Sequence, residues 1–129
     1  MIIFNYHVWN RLVPLDDPEL RIKAIRGDIV FSSNGFLFLI QRKKDFNNIV
    51  CFSLSKCSPI NNFRKCKVQT FMKAIDDVYY ILKTFNITYF RIEGNNRRYW
   101  FLLKLKDKRF NIIKDLSITN RNVLYGRIF

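Results

Sequence analysis

Residues able to do chemistry are sparse in this chain. The only histidine, His7, stands far from Cys51, Cys57 and Cys66, and those three thiols match no common zinc-ligand spacing. They read as reduced, partly buried side chains, and His7 as a half-buried strand or surface residue. Glu93 is placed to act as a base at a strand end, but Arg91, Arg97 and Arg98 surround it and favour an ion pair. Asp76 and Asp77 are adjacent on a predicted helix, so their carboxylates diverge and do not converge on a metal. Ser53, Ser55 and Cys57 alternate along a strand without an identifiable base, and there is no Gly-rich nucleotide loop. These types and spacings assign no catalytic residue and no metal site.

Cations are the abundant chemistry. The 129 residues hold 23 Lys and Arg against 10 Asp and Glu, a net charge of +13. Residues 1–34 are neutral, so the whole excess lies in 35–129, with 19 basic and 6 acidic residues. Such a field favours a polyanionic partner: nucleic acid, an anionic cofactor or an acidic protein surface. A solvated basic face that keeps the protein soluble is the simpler alternative. The densest cluster is Arg97, Arg98, Lys104, Lys106, Lys108 and Arg109, which surrounds one acid, Asp107, and interleaves Tyr99 and Trp100. Cations beside aromatic faces are ingredients for contact with phosphates and bases. On a helix, Tyr99 and Trp100 instead pack against a sheet and leave the cations to the partner. Arg42-Lys43-Lys44 forms a second basic turn, and Arg64, Lys65 and Lys67 a third.

The elements that must position these side chains alternate in type. Residues 2–8 read as a strand, imperfect at Asn5 and His7. Asp16-Asp17-Pro18-Glu19 announces a helix, with Asp17 as cap, Pro18 in the first turn and Gly27 at its end. A short strand at 28–32 leads into Ser32-Ser33-Asn34-Gly35, whose Asn-Gly pair is a hairpin turn signal. Phe36 to Ile40 is a continuous apolar run suited to a buried strand. After a polar turn, Arg42 to Asn48, its antiparallel partner runs from Ile49 to Ser55, with Val50, Phe52 and Leu54 on one face. Residues 57–63 are an irregular connection.

The clearest helix follows, because Val68, Phe71, Ile75, Val78, Leu82 and Phe85 recur at steps of three and four. Ile87 to Ile92 alternates as a strand and stops at Gly94. Asn95 and Asn96 can cap a helix through Lys106, and 110–114 and 122–129 complete the reading as two strands. No repeat, linker or low-complexity tail divides this order, and the length suits one hydrophobic core, so residues 1–129 read as a single α/β (α+β) domain. Its sheet is mixed and largely antiparallel, flanked by helices. No apolar run approaches the roughly 18–20 residues of a membrane helix. The opening MIIFNYHVW lacks the basic segment and cleavage site of a signal peptide, so a soluble, intracellular protein is expected. Ile, Asn, Lys and Phe supply 54 of the 129 residues, a skew that suggests an AT-rich gene of the kind found in phages, plasmids and small-genome bacteria.

The second half resembles the core of the GCN5-related N-acetyltransferases, whose chain runs from a central strand through a cofactor-binding helix, a strand, a second helix and a closing strand pair. Residues 63–70, Phe63-Arg64-Lys65-Cys66-Lys67-Val68-Gln69-Thr70, sit where that family places its arginine-glycine-rich turn. Asn95-Asn96 sits where an asparagine often opens the next helix, and Phe110 where a glycine-phenylalanine pair begins the following strand. In the family, that turn presents backbone amides to the pyrophosphate of acetyl-coenzyme A at a helix start. Here Lys67 and Gln69 replace the best-matching glycines, which removes the close backbone approach that glycine permits. The family's tyrosine acid falls near Leu102 or Leu103, neither of which can donate a proton; Tyr99 is a turn earlier.

The resemblance therefore implies the scaffold without its chemistry. The expected protein is a non-enzymatic binding or assembly element with no cofactor, such as a bacteriophage virion component that contacts genome or structural proteins, in the host cytoplasm or the virion. The sites expected to meet the partner are Arg97, Arg98, Lys104, Lys106, Lys108, Arg109 and Arg42, Lys43, Lys44. Two alternatives stay open. One is a divergent N-acetyltransferase holding acetyl-coenzyme A through Arg64, Lys65 and Lys67, and the other is a free nucleic-acid-binding regulator.

Overall fold

The computed structural model of the protein describes residues 1–13, 22–53, 63–94, 107–116 and 122–129. Within them the chain runs β1 (Ile2–Phe4), α1 (Tyr6–Leu12), β2 (Ile29–Ser33), β3 (Phe36–Arg42), β4 (Asn47–Ser53), α2 (Phe63–Thr84), β5 (Tyr89–Gly94), β6 (Phe110–Asp115) and β7 (Asn122–Ile128). The strands form one seven-stranded sheet in the order β1-β2-β3-β4-β5-β7-β6. Neighbours are antiparallel except β4 and β5, which run parallel and register through Asn48↔Arg91 and Ile49↔Ile92. This is the α+β, mostly antiparallel architecture expected from the sequence.

Local chemistry accounts for these elements. Asn34 and Gly35 have positive φ, 52° and 81°, as a two-residue type I′ turn between β2 and β3 requires. β3 is apolar without alternation because both of its faces are covered. Phe36, Phe38 and Ile40 enter the larger core beneath α2, while Leu37 and Leu39 enter a second core beneath α1. On α2, Phe71, Ala74, Ile75, Val78, Ile81 and Leu82 are buried and Lys73, Asp76, Tyr80 and Lys83 are exposed, a helical stripe. Its end is a Schellman motif. Asn86 takes positive φ (56°), Ile87 N–H donates to the Leu82 carbonyl (2.8 Å) and Asn86 N–H to that of Lys83 (3.1 Å).

The N-terminal third departs from the sequence expectation. The strand read over 2–8 stops at Phe4, and α1 follows. Asn5, taken as a blemish in a strand, is the helix cap, its Oδ1 accepting from His7 N–H (3.1 Å). Tyr6, Trp9 and Val13 then face the second core at helical spacing. The helix expected from Asp17 to Gly27 lies outside the described residues up to 21; beyond that it is absent, since 22–25 carry no regular structure and 26–27 form a turn. The reason is that α1 satisfies this stretch with side chains. Trp9 Nε1 donates to the Ile22 carbonyl (2.7 Å), and Asn10 exchanges two hydrogen bonds with the Ala24 backbone (both 3.0 Å). Gly27 has positive φ (98°), but in a turn that Asp28 closes by accepting from Ile25 N–H (2.8 Å). The turn read over 42–48 is shorter, 43–46, closed by Lys43 N–H to the Phe46 carbonyl (3.0 Å). The helix expected over 95–106 lies outside the described residues.

Candidate functional site

Parallel β4 and β5 fix which side chains share an end of the sheet. Arg42 pairs with Asn47, Tyr89 with Arg127, and Phe110 with Ile128, so the β3–β4 turn and the residues entering β6 lie at the same end. Exposed Arg42, Lys43 and Lys44 thereby share an edge with exposed Lys108. Three to four strand spacings, roughly 14–19 Å, separate the two groups. Arg97, Arg98, Lys104 and Lys106 lie outside the described residues. Arg64, Lys65 and Lys67 are on the opening turns of α2, which runs back from the end of β4 to the start of β5 and so begins at the opposite end of the sheet. The basic positions thus divide between two ends.

Arg109, grouped by sequence with the partner-binding cations, is engaged within the fold. Its Nε and Nη2 grip the two Asp107 oxygens (2.9 and 2.6 Å), and Nη2 also meets Asp76 Oδ1 (2.7 Å). The guanidinium lies over the Tyr79 ring, 5.0 Å from its centre. Burial pushes the Asp107 carboxyl up, but the side-chain and backbone hydrogen bonds and the charge of Arg109 outweigh it and hold the group below the usual carboxylate range. Arg109 is raised, chiefly by its hydrogen bond to Asp107. A depressed carboxyl stabilises the fold above its unfolded value, and that contribution disappears as pH falls through the folded one. Asp107→Asn should therefore lose about 1.5–3 kcal/mol at pH 7. In urea titrations the gap to the parent protein should close as pH falls through and below the usual carboxylate range; a gap that stays constant with pH would exclude the charge as its source.

A second polar cluster crosses the centre of the sheet. Buried Gln41 accepts from Asn48 Nδ2 (3.1 Å), and Asn48 Oδ1 accepts from Arg91 Nη1 (3.1 Å). Arg91 Nη2 pairs with Glu93 Oε2 at 2.5 Å. Glu93 is thus the ion-pair partner the sequence favoured. Asp76 and Asp77 diverge as their helical positions require, Asp76 to Arg109 and Asp77 to the Ser33 hydroxyl. His7 is an exposed helix residue whose ring lies tilted against that of Tyr6, with ring centres 4.1 Å apart.

Sequence reasoning missed the face on which Arg91 lies. Phe90, Ile92, Leu124 and Ile128 point into the core under α2, so period-two alternation sends Tyr89, Arg91, Tyr125 and Arg127 to the other side. No described helix covers that side of β5, β7 and β6. Arg91 lies over the rings of Phe46 (5.6 Å) and Tyr125 (5.8 Å), and Arg127 over those of Tyr89 (5.8 Å) and Phe129 (5.2 Å). Beside them is an open groove of about 400 Å³ lined by Phe46, Tyr89, Ile113, Lys114 and Tyr125. The signal was the polar-apolar alternation of 89–93 and 123–128, legible as one face only once β5 and β7 are known to be neighbours.

Among the described residues no His, Cys, Asp and Glu group of three or more could hold a metal ion, and no helix is long and apolar enough to cross a membrane. No protein-family model, curated protein or solved structure matches this chain.

Proposed function

We propose that this chain is a non-enzymatic binding or assembly protein on an acetyltransferase-like scaffold, that its partner is nucleic acid, and that it works as a bacteriophage virion component. The observation that carries the binding site is the shared sheet end. Arg42, Lys43, Lys44 and Lys108 are exposed there, next to Arg127 and the exposed Tyr89 and Phe129. Cations along one edge track a phosphate backbone, and rings beside them meet bases. The scaffold reading is supported by a central strand, β4, followed by a long helix and a parallel strand, then a closing antiparallel pair. The sequence at the start of α2 supports a binding role, since Lys67 and Gln69 stand where glycines would be needed.

One observation favours a second reading, a divergent N-acetyltransferase. The parallel ladder of β4 and β5 registers only at Asn48↔Arg91 and Ile49↔Ile92, although β4 continues to Ser53 and β5 to Gly94. Beyond that register the two strands do not pair with each other, which is where this reading would put the ligand, near Arg64, Lys65 and Lys67.

Titrating a labelled oligonucleotide at 50 and 200 mM salt tests the first reading. Affinity should fall steeply with salt, and Lys43→Ala/Lys44→Ala/Lys108→Ala should reduce the log–log slope by about 2–3. A slope unchanged by the triple substitution would remove these residues from the interface. In the same format, saturable binding of acetyl-coenzyme A at an affinity above that of inorganic polyphosphate would favour the enzyme instead.

A further inference from the structure

From the side of β5, β7 and β6 that faces away from α2, we infer a stacking platform for the unpaired bases of single-stranded nucleic acid. The inference rests on the polyanion reading above and narrows it to one ligand class.

Two of the largest exposed rings in the described residues sit here, Tyr89 at 56% and Phe129 at 58% exposure. Their backbones are held in place, which limits part of the ordering cost of using them. Tyr89 belongs to the β5–β7 ladder opposite Arg127, and Asn47 Nδ2 donates to its carbonyl (3.1 Å). The Phe129 backbone is tied to the Arg109 carbonyl (3.1 Å) and to the Tyr79 hydroxyl. Arg127 lies between the two rings, and its buried Nε finds no hydrogen-bond partner among the described residues. A phosphate drawing this guanidinium outward would satisfy it.

Geometry separates a single strand from a duplex. Tyr125 and Arg127 alternate along β7, and Phe129 follows directly after its end in the same phase, so side chains on this face of β7 repeat at about 7 Å, twice the roughly 3.4 Å rise per nucleotide in a duplex strand. Bases drawn apart and unpaired match that repeat, whereas stacked base pairs hide their faces from it. The groove beside Tyr89 and Tyr125, about 400 Å³, is in the size range of small-ligand sites. Lys114 and Asp45 both stand at its wall, so the positive charge comes from Lys43, Lys44 and Lys108 at the adjoining edge. An acidic peptide would use the same cations but has no need of the rings.

The test is fluorescence anisotropy of the full chain with labelled 12-mer oligothymidylate, alongside a 12-base-pair duplex, inorganic polyphosphate and poly-glutamate as competitors. Single strand is expected to bind at least tenfold tighter than duplex. Tyr89→Ala should weaken it by about tenfold or more with an unchanged salt slope, and Tyr89→Phe should retain binding. Far-ultraviolet circular dichroism would verify that these surface variants remain folded. Equal binding of duplex and single strand, insensitive to Tyr89→Ala, would overturn the platform while leaving the polyanion reading in place. Poly-glutamate competing as well as oligothymidylate would also overturn it, in favour of an acidic protein. Failure of every polyanion to bind would overturn both readings.

Discussion

Trp9→Ala is expected to lower the unfolding free energy by about 3–5 kcal/mol, a large part of the about 5–15 kcal/mol that a domain commonly has. Trp9 is fully buried and is the largest side chain of the second core, with Val13, Ala24, Val30, Leu37, Leu39 and Val50 around it. Its indole N–H also satisfies the Ile22 carbonyl, so truncation leaves both a cavity and an unpaired backbone acceptor. Trp9→Phe separates these effects, because the ring still fills most of the space while the hydrogen bond is lost. Its cost should be smaller, about 1–3 kcal/mol. Urea titration followed by circular dichroism measures both values. If alanine and phenylalanine cost the same, the hydrogen bond dominates and α1 acts as a clasp on 22–24 more than as a lid on the sheet. The Tyr89 and Arg127 face is on the same side of the sheet as this core but on β5 and β7, neither of which contributes a residue to it. Nucleic-acid binding by the folded fraction of either variant should therefore stay at the parent level.

Where the fold was legible, periodicity was uncontested. The two-sided burial of β3 was written in Phe36 to Ile40, the hairpin turn in Asn34-Gly35, and α2 in six apolar residues at helical steps. The strands read over 110–114 and 122–129 fall within a residue of β6 and β7. Legibility failed at residues 2–13, where Ile2-Ile3-Phe4 and Tyr6 suggest a strand that Asn5 interrupts only by capping. It failed again at 22–27, where good local helix signals lose to hydrogen bonds offered by Trp9 and Asn10 from α1. Such a tertiary contact leaves no periodic trace. The candidate site divides along the same line. A charged run such as Arg42-Lys43-Lys44 is visible in any window, but nothing in the sequence shows that it shares a sheet end with Lys108. Tyr89, Tyr125 and Arg127 become one face only through the β5–β7 pairing, which joins Tyr89 to Arg127 across a long stretch of intervening chain.

That pairing also contains a tight spatial constraint. A Cβ at Gly126 would lie 2.6 Å from Phe90 Cζ and 2.9 Å from the Asn111 carbonyl oxygen, both far inside ordinary contact. Glycine is demanded here by space and by no unusual backbone angle. The obstacle cannot simply swing aside, since Phe90 is buried, packs edge-on to Phe110 (5.9 Å between ring centres) and helps fill the larger core. Gly126→Ala should accordingly cost about 1–3 kcal/mol, and Gly126→Val more. A double-substitution cycle with Phe90→Leu identifies which neighbour is responsible. If the ring is the obstacle, alanine at 126 costs less in the Phe90→Leu background than in the parent. If the two costs add, the Asn111 carbonyl is the limit, and the substitution acts by pushing β6 from β7. The two cases differ for the proposed interface as well. Displacing β6 would move Ile113 and Lys114 away from Tyr89 and Tyr125 and weaken oligonucleotide binding, whereas a shift confined to the Phe90 ring, beneath the sheet, would lower stability and leave that affinity unchanged.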